Sequence, residues 1–185
     1  DLKHIIRENA QTTIHADAAS QLLCEKPEYA DKLKLPHDLK GYFNYDQALA
    51  CAKTQNKPVF IDFTGHGCVN CREMEERVWS DVRVLQRLKD KYIIVALYVD
   101  DKVIELPESQ WVTSTYDGKV KKTLGKKNQD LQITRFGQNT QPQYALLDTD
   151  GTLLVPTRSY NLDIEGFINF LDQGLLAFDN RHKAK

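Results

Sequence analysis

The pattern of apolar and polar residues predicts an α/β sandwich, a mixed central sheet flanked by helices. Three observations carry this expectation. Two short apolar runs, residues 58–63 (PVFIDF) and 92–99 (YIIVALYV), read as buried central strands. Segments with helical spacing lie before, between and after them, and supply the covering layers. A closing pair of strands and a last helix then complete the alternation that defines this class. At 185 residues the chain suits one domain with an appendage better than two full domains.

Taken in order, residues 1–41 give weak signals. Short helical stretches at 16–24 and 29–33 are broken by Pro27 and Pro36, and the segment reads as an N-terminal extension or linker. Residues 46–55 show helical spacing, with Tyr45, Leu49 and Ala52 on one face and Asn44 placed to cap the start. The strand at 58–63 is entered through a proline, which suits a strand's first residue. Residues 73–78 read as helix, and Ser80-Asp81 restarts it with Val82, Leu85 and Leu88 at helical spacing. After the strand at 92–99, residues 101–128 fit no simple connection between strand and helix. Segments 111–115 and 119–123 flank Tyr116-Asp117-Gly118, where Asp-Gly favours a tight turn, so a β-hairpin insertion is expected. Asn128 is placed to cap a helix over 130–136, ended by Gly137. Residues 144–147 and 152–155 flank Asp148-Thr149-Asp150-Gly151 and read as a second hairpin. Asn161 caps a last helix whose apolar stripe is Ile164, Phe167, Ile168 and Leu171.

Composition narrows the functional classes. Apolar residues at 41% and charged residues at 28% fit a soluble protein with a sizeable core. A formal net charge of −1 gives no electrostatic case for nucleic acid or an anionic membrane surface. No apolar run approaches the roughly 20 residues that span a bilayer, and no signal peptide is visible at Asp1. If the natural protein is exported or tethered, the responsible segment lies outside this chain. Four cysteines are too few for a disulfide-built scaffold, and Cys24 and Cys51 read as inert, partly buried thiols.

The remaining two cysteines sit in FTGHGCVNCR, residues 63–72, directly behind the first strand. This spacing permits a metal site, a structural staple or a redox pair. Structural zinc needs four ligands, and the chain has no second pair and only scattered histidines. Haem attachment needs a histidine after the second cysteine, where Arg72 stands. A staple closing so short a loop would restrict the unfolded chain little. The strand-then-helix context favours redox chemistry, with copper or zinc on Cys68, Cys71 and His66 as the competing reading. A cysteine at a helix N-terminus faces free N–H groups that favour its thiolate. A second cysteine one turn on can then expel a mixed-disulfide partner. Cys68 is therefore the expected nucleophile and Cys71 the resolving thiol. Val69 and Asn70 between them are either loop filler or residues that tune the pair and face the partner.

At KPVFIDFTGHGCVNCREME, residues 57–75, the chain resembles the thioredoxin superfamily. Within it, the chain is most similar to the C-terminal periplasmic domains of DsbD-type thiol:disulfide interchange proteins, over about residues 42–178. The resemblance implies a thioredoxin-like fold followed by a C-terminal tail at 179–185, and a protein-disulfide reductase that uses no cofactor beyond a redox-active Cys68–Cys71 disulfide. Asp62, six residues before Cys68, matches the family's buried acid, and Glu75 a second active-site carboxylate. Pro142 matches the family's cis-proline, with Gln141 beside it holding the partner backbone. From the residues alone, Asp62 could also be a strand-end acid, Glu75 a solvated charge, and Pro142 an ordinary turn proline. Gly67 departs from the pattern, because many relatives carry Trp immediately before the first cysteine. His66 beside it is either a proton donor and partner contact or a flexible surface histidine. The implied partners are disulfide-bearing exported proteins and a membrane-embedded electron donor within the same full-length protein, with no nucleic acid. The implied setting is a periplasmic monomer tethered to the inner membrane, the chain itself not spanning it. Asp62 would take the Cys71 proton, while the two carboxylates oppose the Cys68 thiolate and set a reducing poise.

Overall fold

The structure, a computed structural model, describes residues 21–183. Along the chain run α1 (Tyr45–Gln55), β1 (Val59–Thr64), α2 (Val69–Met74), a π-helical turn (Glu75–Trp79) and α3 (Val82–Lys91). They are followed by β2 (Ile93–Tyr98), β3 (Val112–Thr113), β4 (Val120–Lys121), α4 (Leu124–Phe136), β5 (Gln143–Leu147), β6 (Arg158–Ser159) and α5 (Ile164–Lys183). The main sheet has the order β2-β1-β5-β6. β1 pairs parallel with β2 and antiparallel with β5, so the sheet is mixed as expected.

Strand side chains alternate between faces, and the two apolar runs supply both. Val59, Ile61 and Phe63 pack with Ile93, Val95, Leu97, Ala145 and Leu147 beneath α1 and α4. Phe60 lies on the opposite face with Ile94, Tyr144 and Leu146, covered by Met74, Val78, Trp79, Leu88, Phe167 and Leu171. An aromatic cluster centres there. Phe60 meets Trp79 edge-on at 5.6 Å and stacks on Tyr144 at 5.5 Å between ring centroids. Asp62 shares this face of β1 by the period of two, and is 3% exposed. Asn44 caps α1 through its side chain, which accepts from the Gln47 amide; such caps are worth about 1 kcal/mol.

Several sequence expectations need correction. The part of the 16–24 stretch that is described, residues 21–24, forms no helix, and residues 16–20 lie outside the described residues. Residues 28–32 make turns instead of helix, because Tyr29 takes a left-handed φ of 66° that interrupts helical geometry. Val82 does not join the apolar stripe of α3. It is 64% exposed, and Val84 and Leu88 are the buried positions, because Asp81 caps the helix and fixes its rotation. α4 begins six residues earlier than the Asn128 cap predicted. The Thr123 hydroxyl accepts from the Lys126 amide and starts it, while Asn128 is buried and donates Nδ2 to the Tyr98 carbonyl.

The 101–128 insertion does carry the predicted hairpin, reduced to two short strands, β3 and β4, that pair with each other. Residues 152–155 do not form a strand. They contribute one bridge, Leu153 to Leu147, and the strand on the other side of β5 from β1 is β6. α5 runs on to Lys183, past the position where a tail was expected, because Phe178 is buried and Arg181 and His182 bond to the Asp148 carboxylate.

Cys24 and Cys51 are not free thiols. They form a disulfide that ties the segment before α1 onto that helix, with Cα atoms 5.6 Å apart. The segment is laid against α1 by further bonds: Gln55 Nε2 donates to the Leu22 carbonyl, and the Glu28 amide to Gln47 Oε1. Their separation of 27 residues hid the pairing, which only that docking brings about.

Candidate active site

β1 delivers the chain to the site through Thr64, and the turn Gly65-His66-Gly67 leads into α2. Cys68 occupies the N-cap of α2 in an extended conformation, and its sulfur accepts from the Cys71 amide at 3.1 Å. That N–H is one of the helix's unpaired donors, and it would favour a thiolate at Cys68 over a thiol. The two cysteines form a disulfide with Cα atoms 5.2 Å apart. Cys68 is partly exposed and Cys71 is 1% exposed, so an incoming partner can reach only the first sulfur. Val69, 77% exposed, and Asn70 stand beside it at the surface.

Asp62 lies beneath this helix in the low-dielectric layer. Its Oδ1 is buried with no hydrogen-bond partner among the described residues. Burial pushes the Asp62 carboxyl well above the usual carboxylate range. The Glu75 charge adds to the rise, and the Arg72 guanidinium partly offsets it. Glu75 is not a freely solvated charge. Its Oε2 lies 3.1 Å from Arg72 Nη2 with its side chain only 12% exposed, and burial raises its pKa too, against Arg72 and then His37. Arg72 also donates Nη2 to Thr64 Oγ1 at 2.8 Å and to the Gly65 carbonyl at 3.2 Å. One guanidinium thus ties the strand end, the turn and the second carboxylate together. Asp62 and Glu75 are thus electrostatically coupled, with Arg72 acting on both.

The Gln141–Pro142 peptide is cis. Pro142 is buried, and Gln141 lines the same hollow as Cys68. A chain of buried amides anchors this loop. Gln141 Nε2 donates to Gln132 Oε1, and Gln132 Nε2 donates to the Thr140 carbonyl and to Gln143 Oε1. Gln143 Nε2 in turn reaches Thr157 Oγ1. Gln132 and Gln143 were not singled out from sequence; an amide inside the apolar run of β5 was the available signal.

His66 is held by neighbouring side chains and does not line that hollow. Its Nε2 lies 2.7 Å from Asp101 Oδ2, and its ring packs on Tyr98 at 4.6 Å between centroids. Asp101 Oδ1 accepts in turn from the Val103 and Ile104 amides, so the histidine fastens the turn to the start of the insertion. Asp100 was also missed. Its carboxylate accepts from the His66 amide at 2.7 Å and the Gly67 amide at 3.0 Å, holding the turn from the hollow's side. Nothing local marks it, since the contact spans 34 residues. A separate cavity of about 330 Å³ lies between α1, α4 and the insertion, lined by Leu106, Val112 and Leu131. It holds neither cysteine, so the exchange chemistry belongs to the shallower hollow at Cys68.

A buried acid beneath a Cys-x-x-Cys pair that caps a helix, on an α/β sandwich of this topology, defines a thiol:disulfide oxidoreductase of the thioredoxin class. The chain belongs to the Thioredoxin-like family, which it matches over residues 40–152. It is 33% identical over 51 residues to the thiol:disulfide interchange protein DsbD of Campylobacter jejuni strain RM1221, a stretch covering 28% of this chain and 9% of that protein. It is 47% identical over 51 residues to the DsbD of Salmonella typhimurium strain LT2, again 28% of this chain and 9% of the relative. The matched stretch is thus about a tenth of these relatives' length. Among solved structures, the fold is similar to a DsbH oxidoreductase at a TM-score of 0.54 and 17% identity, covering 78% of this chain and 91% of the other. A thioredoxin from Thermus thermophilus gives a TM-score of 0.51 at 21% identity, covering 72% and 85%. At these identities the two structures speak for the fold alone.

Proposed function

We propose that the domain is a disulfide reductase that passes electrons from a membrane-embedded donor to oxidised exported proteins, in the periplasmic setting of DsbD-type relatives. In the reduced protein, the Cys68 thiolate attacks one sulfur of the partner's disulfide. The partner's S–S bond breaks, its second sulfur leaves as a thiolate and takes up a proton, and a mixed disulfide forms. Cys71 then attacks Cys68, the Cys68–partner bond breaks, and the partner's first sulfur leaves as a thiolate that takes up a proton from solvent. The domain ends as the disulfide and the partner as a dithiol, two electrons having crossed. Asp62 accepts the Cys71 proton as that thiol becomes nucleophilic, and returns it when the donor reduces the pair again.

The observation that carries this reading is the buried Asp62 carboxyl, one oxygen of which has no partner among the described residues, beneath an accessible Cys68 and an inaccessible Cys71. Burial raises the proton affinity of this carboxylate, so it can take up and return a proton where a fixed ion pair cannot. Two acids beneath the pair also disfavour negative charge on sulfur, and a less stabilised thiolate makes the reduced form the better electron donor. No helix of the described residues is long and apolar enough to cross a membrane, so in this reading the donor lies in another part of the protein. The test is a trap. Cys71→Ala incubated with a disulfide-bearing protein substrate should accumulate a mixed disulfide through Cys68, and Cys68→Ala should accumulate none. Trapping through Cys71 instead would reverse the roles, and trapping by neither variant would contradict the reductase reading.

A further inference from the structure

The hollow beside Cys68, about 440 Å³, is lined by Cys68, Val69, Asn70, Gln141, Asp100 and the glycines of the preceding turn. Asp100 is the one charged side chain among them. Each of its carboxylate oxygens takes one backbone N–H from the turn, which fixes the group in place and leaves lone pairs free on both atoms. Gly65 permits this approach, since a Cβ there would stand 3.0 Å from Asp100 Oδ2. Lys102 and Lys126 line a second hollow with Asp100 but form no salt bridge with it, and the basic groups on the cysteine side are engaged elsewhere. Arg72 is paired with Glu75 and the strand end, and the His66 ring faces Asp101. No salt bridge reaches Asp100 among the described residues, and its side chain is exposed.

A partner disulfide must enter this hollow to meet the Cys68 sulfur. Its flanking residues then come to rest beside a preorganised negative charge, with Val69 as the apolar contact on the rim. We propose that Asp100 makes the site selective for partner disulfides flanked by lysine or arginine. The inference rests on the reductase reading above and names the substrate class of that same site. A flanking cation gains the attraction, a flanking carboxylate meets repulsion, and a neutral flank gets neither. The carboxylate orients no reacting atom. It acts as a specificity-determining and turn-positioning residue.

The test compares the reduced domain acting on three disulfide peptides, identical except for Lys, Ser or Glu beside the reacting cysteine. At low salt, kcat/KM for the Lys peptide should exceed that for the Glu peptide by about 3- to 10-fold, since the attraction of one exposed charge pair and the repulsion of the other add in this ratio. Near 0.5 M salt the ratio should fall towards one. Asp100→Asn should collapse the low-salt ratio, even if loosening the turn slows all three peptides, since only the charge distinguishes them. Asp100→Ser, neutral but still an acceptor, repeats the comparison should the first variant fail to fold. Exchange with all three peptides at a ratio near one would overturn this inference and leave the reductase reading standing. A ratio that persists in the neutral variants would also overturn it. No exchange with any peptide would overturn both.

Discussion

Replacing Asp62 with leucine should make the protein more stable and less active, and the opposite signs are what the account requires. Asp62 is 3% exposed, sits between Ala96 and Tyr144 in the sheet register, and has one carboxylate oxygen without a partner. Removing an unsatisfied buried polar group in favour of an apolar one of similar size recovers its desolvation penalty, about 1–3 kcal/mol. For a chain of this size each kcal/mol raises Tm by about 2–4 °C. The effect should depend on pH with a definite sign. Below the ordinary carboxylate range both folded and unfolded chains hold the proton, and no charge is buried. As pH rises, the unfolded chain gives up its proton first, because burial raises the folded group's pKa. The unaltered protein therefore loses stability through that window until the folded group also ionises, and the leucine variant does not. The advantage of Asp62→Leu should thus be greater at neutral pH than at pH 3. Loss of the proton acceptor should slow resolution of the mixed disulfide about 100-fold, the low end of a general base's contribution. Thermal melts at two pH values, paired with single-turnover exchange, read both quantities. A variant that is destabilised yet fully active would refute the role given to this carboxyl.

A further prediction is independent of this one, and another builds on it. Cys24→Ser with Cys51→Ser opens a loop of 27 residues, whose closure is worth about 3.5 kcal/mol on a chain-entropy basis. Melts should fall by about 7–14 °C while Cys68–Cys71 exchange at 25 °C keeps its rate; an unchanged melting temperature would show that the disulfide is not a staple. Glu75→Gln removes a charge that helps hold the Asp62 pKa up. The acid limb of the pH–rate profile for resolution should therefore move to lower pH, and an unmoved profile would separate the two carboxylates.

The central strands were legible because each is an apolar run bounded by polar residues, and both faces of β1 and β2 are buried along their length. The cysteine pair was legible from spacing and context, and Asp62 because an acid inside such a run needs an explanation. Features made by distant contacts were not legible. The Cys24–Cys51 bridge depends on how the segment before α1 is laid on that helix, and Asp100 on a turn 34 residues away. The α4 boundary failed for a local reason, since Thr123 and Asn128 are both competent caps and only burial of Asn128 against the Tyr98 carbonyl decides between them. The aromatic missing before Cys68 has a structural counterpart. Gly65 admits the Asp100 carboxylate, and His66 is turned away to Asp101.

The direction of electron flow is the central claim, and the reduction potential of the Cys68–Cys71 pair tests it most directly. Equilibration in defined glutathione or dithiothreitol buffers, with the fraction oxidised read at those two cysteines, gives the value. The account predicts a potential below about −200 mV, on the thioredoxin side of the range. A value near about −120 mV, where stabilised thiolates make strong oxidants, would contradict it.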